Sequence, residues 1–150
     1  MRPTGQRLFS VAVLICAVSV LGLILAVILQ WPTPFDGSGN PNVTAGEVVT
    51  GGTVPSLPLF PWIVLAVFAL LARSRRWWGS LAVLVLCFLG ALFVLGGLGE
   101  AFAPSTPYVP RAVLVPVGVV FVLLGLSLLL SGIADLIDRG RAGRRPSRVS

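Results

Sequence analysis

The sequence predicts an all-α integral membrane bundle of four transmembrane helices with both termini in the cytoplasm. Three observations lead there: a composition too apolar for a water-facing globule, four separate apolar runs, and arginines gathered on one side of those runs. Of the 150 residues, 56% are hydrophobic and only 11% are charged, which leaves too little polar surface to coat a soluble fold of this size. The apolar runs are hydrophobic all the way round rather than amphipathic, so a lipid-facing exterior resolves the shortage.

Residues 1–7 form a short cytoplasmic N-terminus carrying Arg2 and Arg7. The first run, 8–29, is broken only by Ser10, Cys16, Ser19 and Gly22, and at the helical rise it covers about 33 Å, enough to cross a bilayer. A cleaved signal peptide would have a shorter apolar stretch ending in small residues, whereas this run ends in Gln30-Trp31-Pro32, so it reads as an uncleaved anchor. A lipoprotein signal is excluded in the same way, because Ile15 occupies the position before Cys16 where a small residue is required.

The external loop 30–56 is rich in Pro, Gly, Thr and Asn and lacks basic residues. Its stretch 43–54 alternates enough to suggest a short hairpin around a Gly turn. The Asn42-Val43-Thr44 glycosylation pattern carries no meaning in a bacterial chain.

The second run is the short one. Its apolar core, 59–72, covers about 21 Å, and a start at residue 57, with Pro58 and Pro61 in the tolerant first turn, makes it a short span over 57–72. Arginines decide that it crosses. If it does, Arg2, Arg7, Arg73, Arg75, Arg76, Arg139, Arg141, Arg144, Arg145 and Arg148 all lie inside and only Arg111 lies outside. If it does not, the last two helices invert and eight arginines face outward against three inside, against the positive-inside bias. The cytoplasmic connector is then 73–76, followed by a third span over 77–98, an external loop over 99–111, a fourth span over 112–134 and a basic cytoplasmic tail over 135–150. Trp31, Trp62 and Tyr108 mark the outer interface, and Trp77 and Trp78 the inner one.

All eleven basic residues are Arg, with neither Lys nor His, a usage that fits a GC-rich bacterial genome and hence a bacterial inner membrane. A net charge of +6 suits nucleic acid in general, but here the cations sit at membrane boundaries and no nucleic-acid partner is expected. The usual catalytic bases His and Lys are missing, and no nucleophile–base pair, metal cluster or carboxylate constellation stands out. The sequence therefore predicts no enzyme, no catalytic or metal residues and no cofactor. Cys16 and Cys87 lie at similar depth in helices running the same way and read as inert packing residues.

Small residues at regular spacing are the clearest internal pattern. Gly118, Gly125 and Gly132 recur every seven residues, as do Ala12, Ser19 and Ala26, while Ser80 and Cys87 share that spacing beside Gly90 and Gly97. In lipid such stripes let backbones approach. The fourth-span glycines are expected to meet the first helix or a second copy of the fourth, with Leu124 facing lipid. Asp135 and Asp138 share a face and are expected to pair with Arg139 and Arg141. Arg139, Arg141, Arg144, Arg145 and Arg148 form a polybasic segment suited to anionic lipid or an acidic partner. The expected partners are the lipid bilayer and either another membrane protein or a second copy of the chain. An accessory or scaffold subunit of a membrane complex is the leading functional reading, with an oligomeric transporter or channel component, or a lipid-binding or lipid-modifying protein, as alternatives.

Overall fold

The computed structural model describes residues 5–29, 44–51, 57, 59–102 and 111–143. Its helices are α1 (Gln6–Leu29), α2 (Ala45–Gly51), α3 (Leu59–Leu71), α4 (Trp77–Phe102) and α5 (Arg111–Gly143). Three of them, α1, α4 and α5, are long and apolar enough to cross a membrane, and α3 is a shorter apolar helix.

Three features depart from what the sequence predicts. The stretch expected to form a hairpin is helical over Ala45–Gly51 instead. Thr44-Ala45-Gly46-Glu47 is a helix-start pattern, and the Thr50 hydroxyl donates back to the Gly46 carbonyl at 2.9 Å, so local bonding within one turn prevails over the β-leaning alternation. The last helix also runs past its expected end: residues 135–143, assigned to the tail, continue α5. No Pro or Gly cap intervenes at Ala134-Asp135, and Asp135 and Arg139 support each other one turn apart. At the other end α4 continues past its expected end to Phe102 and takes in Glu100.

The four larger helices alternate in direction. Gly5, which precedes α1, meets Ala72, which follows α3, and the same end of the bundle holds Gly79 near the start of α4 and Asp135 and Arg139 late in α5. One core runs through all four, with Leu8, Ala12 and Ile15 from α1, Leu65 and Ala69 from α3, Val83, Leu86 and Phe93 from α4, and Leu124 and Leu128 from α5. The exterior is apolar too: Ile28, Phe60, Phe88, Leu95 and Leu130 are each more than 60% exposed. A surface of that kind belongs in hydrocarbon, where exposed Leu and Phe cost nothing.

Candidate functional site

The two most constrained places in the bundle are a seam of glycines between α4 and α5 and a polar clasp at the arginine-rich end.

Along α4 and α5 the glycines face one another in antiparallel register. A Cβ built on Gly90 would lie 2.9 Å from the Gly125 carbonyl oxygen, and one on Gly125 would lie 2.7 Å from that of Gly90. Gly97 and Gly118 form a second reciprocal pair, with a Gly97 Cβ 2.6 Å from the Gly118 oxygen. Both pairs therefore bring main chain against main chain, leaving no room for any side chain. Between them Phe93 and Phe121 meet edge to face with ring centroids 6.5 Å apart. Gly132, the third member of the stripe, lies against Cys87, whose thiol points to the Leu129 carbonyl at 3.9 Å.

This arrangement corrects two expectations. The groove of Gly118, Gly125 and Gly132 is filled by α4, neither by α1 nor by a second copy. Leu124, expected in lipid, is only 7% exposed. The reason is that α5 touches α4 on one side and α1 on another, so its buried stripe is wider than the glycine seam and includes Leu114, Phe121, Leu124 and Leu128. Ala12, Ser19 and Ala26 of α1 are all buried, together with Leu8, Ile15 and Gly22. Cys16 and Cys87 are both free thiols, and it is α5 that Cys87 addresses. Ser19 Oγ and Trp62 Nε1 are buried with no hydrogen-bond partner among the described residues, so Trp62, expected at the outer interface, has its polar tip enclosed.

The clasp centres on Arg139. Its Nε donates to Asp135 Oδ2 at 2.7 Å, Nη1 donates to the Ser74 carbonyl at 2.8 Å, and Nη2 donates to the Ala72 carbonyl. Asp135 Oδ1 in turn accepts the Gly5 amide at 3.1 Å. Three segments, the residue before α1, the α3–α4 connector and α5, thus meet at one ion pair whose side chains are 12% and 13% exposed.

Local sequence explains why the clasp forms here. The end of α3 tightens, with Arg73 N donating to the Leu70 carbonyl and Ser74 N to the Leu71 carbonyl, which leaves Ala72 and Ser74 carbonyls without helical donors. A cation is the favoured partner at a helix C-terminus. Arginine's planar fork reaches both oxygens and the carboxylate together, which a lysine ammonium does not. Two glycines make space: a Cβ on Gly79 would come within 2.8 Å of Arg139 Nη1, and one on Gly5 would come within 2.6 Å of the Ala72 oxygen. Gly5 also has φ of 75°, a conformation that costs other residues about 1–2 kcal/mol.

The expected pairing of Asp135 is therefore made with Arg139, while Asp138 and Arg141 are exposed. Arg139, expected among the arginines available to anionic lipid or an acidic partner, has its guanidinium engaged inside the bundle instead. Arg144, Arg145 and Arg148 lie outside the described residues, as do Arg2, Trp31 and Tyr108. Arg7, Arg73, Arg75, Arg76 and Arg141 are exposed around the same end, with Arg73 lying over the Phe9 ring at 5.3 Å. The clasp is a structural lock: its donors and acceptors satisfy one another, and it offers no nucleophile. No group of His, Cys, Asp and Glu among the described residues is arranged to hold a metal.

No family model, no curated protein and no solved structure matches this chain, so its reading rests on the sequence and the bundle themselves.

Proposed function

We propose that the chain is a non-enzymatic component of a bacterial plasma membrane, crossing it four times with both termini in the cytoplasm and serving as an accessory or scaffold subunit of a membrane complex. The single observation that carries this reading is the division of polar groups. The two least exposed charges of the arginine-rich end, Asp135 and Arg139, hold helices together, while the remaining described arginines of that end face outward. A bundle built in this way presents surfaces and keeps its interior for packing. The four-pass topology draws support from the alternating helix directions and from the positive-inside bias; the shortness of α3 is accommodated by bilayer thinning and by Arg73 reaching to the interface. An oligomeric pore is the weaker reading, because the small-residue groove that would have joined copies along α5 is closed by α4 of the same chain.

The test is affinity capture of the tagged protein from native membranes in mild detergent. A membrane protein that co-purifies stoichiometrically with the wild type, and is lost when the exposed ends are altered, is the expected result. A homo-oligomer purified alone and conducting solutes in liposomes would replace the scaffold reading with the transport one.

A further inference from the structure

The arginine-rich end carries more exposed cation than its own carboxylates can neutralise. Six described arginines lie there, Arg7, Arg73, Arg75, Arg76, Arg139 and Arg141, against Asp135 and Asp138. The clasp makes the imbalance sharper, because Asp135 is engaged by Arg139 and by the Gly5 amide, which leaves Asp138 as the sole exposed acid among the described residues of this end. The carbonyls that Arg73, Arg75 or Arg76 would otherwise serve at the end of α3 are already bonded by Arg139. Arg75 and Arg76 consequently project from the connector with no carboxylate partner among the described residues.

Next in sequence come Trp77 and Trp78, which open α4. Their rings stack with centroids 3.4 Å apart, and they are 63% and 52% exposed. A large exposed aromatic pair following directly in sequence on two arginines that have no carboxylate partner among the described residues, at the end of a membrane helix, matches the layered chemistry of a lipid interface. Indole rings seat at the boundary between acyl chain and headgroup, and arginine forks bind phosphate oxygens in pairs.

We infer that the α3–α4 corner, formed by Arg75, Arg76 and the stacked Trp77–Trp78 pair, is a binding surface for the phosphate headgroups of anionic phospholipids. Charge complementarity selects the anionic lipid over a zwitterionic one, since the latter's own cation competes for its phosphate. The aromatic pair favours a lipid over a soluble anion, because a free phosphate has no acyl chain to lie against the rings. The inference needs the chain to lie in a membrane and is independent of the scaffold reading; a variant that loses lipid preference yet still captures its partner separates the two.

The experiment uses the full chain with Trp31→Phe and Trp62→Phe, so that emission comes from Trp77 and Trp78, in nanodiscs containing acyl-brominated lipid. At equal mole fraction, brominated phosphatidylglycerol should quench more than brominated phosphatidylcholine. Two arginines at the surface correspond to an effective preference of roughly tenfold or more at low salt, falling as salt is raised. Arg75→Gln/Arg76→Gln should remove the preference and leave emission in unbrominated discs unchanged. Should the Trp62 replacement impair folding, the difference between wild type and Trp77→Phe/Trp78→Phe gives the same reading. Equal quenching by the two lipids overturns the inference, as does a preference that persists in the double Gln variant. Displacement of the anionic lipid by polyglutamate, at an ionic strength where chloride has no effect, would assign the corner to an acidic protein and also overturn it.

Discussion

Gly97→Ala should lower the thermal stability of the detergent-purified protein sharply, while Gly96→Ala, one residue earlier, should leave it unchanged or slightly higher. The two positions differ in what a methyl group meets. At Gly97 it would stand 2.6 Å from the Gly118 carbonyl oxygen and 2.8 Å from the Val122 nitrogen. These are main-chain atoms of a helix and cannot rotate aside, so α4 and α5 must separate along their length. At Gly96 nothing lies within 4 Å. Overpacking of this sort costs about 1–3 kcal/mol, and moving the helices apart also forfeits the dispersion contacts that hold membrane helices together. Gly96→Ala instead gains up to about 1 kcal/mol of helix propensity. Gly125→Leu should be worse than Gly97→Ala, because a long side chain is driven into the Gly90 main chain at mid-span. Thermal unfolding of all four proteins in one detergent reads the difference. Similar stability for the Gly96 and Gly97 variants would mean that the seam is not closed in the folded protein.

Arg139→Gln should be the most damaging change of a charged residue. It leaves the Asp135 carboxylate in a nearly buried site with only the Gly5 amide, and it strips the Ala72 and Ser74 carbonyls of their donor. Breaking a buried pair from one side typically costs about 3–5 kcal/mol. Arg139→Lys should recover only part of this, since one ammonium cannot serve a carboxylate and two divergent carbonyls at once. Asp135→Asn combined with Arg139→Gln should be less destabilised than the sum of the single changes, the coupling reporting the ion pair directly. A neutral Arg139→Gln would show that water, rather than the connector, satisfies these groups. Arg141→Gln, at an exposed position two residues on, provides the comparison and should stay within about 0.5 kcal/mol of wild type.

The extent to which sequence reveals this molecule follows from the range of the interactions concerned. Apolar runs are legible because each reflects its own residues, and α1, α4 and α5 begin within two residues of the expected positions. The glycine stripes are legible as places of close approach, but the identity of the approaching helix is a tertiary fact. Two clues were present: Gly90 and Gly97 repeat the spacing of Gly118 and Gly125, and the short segment between α4 and α5 favours antiparallel neighbours. Leu124 is buried rather than lipid-facing because a seam pattern describes one contact, whereas α5 makes two. The Asp135–Arg139 pair follows from one-turn spacing, yet the destination of the other guanidinium nitrogens, 65 and 67 residues away in the chain, has no local signature. At α2 local signals conflict, and the helix-start pattern at Thr44 prevails over the weak alternation that follows it.

The side of the membrane that holds the α3–α4 connector decides whether the chain crosses four times. Single cysteines introduced at Ser38, Ser74, Ser105 and Ser147, on a background with Cys16 and Cys87 replaced by Ala, can be labelled in intact cells with an impermeant maleimide and again after permeabilisation. Four crossings require labelling of Ser38→Cys and Ser105→Cys from outside, with Ser74→Cys and Ser147→Cys reacting only once the membrane is opened. Labelling of Ser74→Cys in intact cells would mean that α3 does not cross, and the arrangement of termini and arginines on one cytoplasmic side would be wrong.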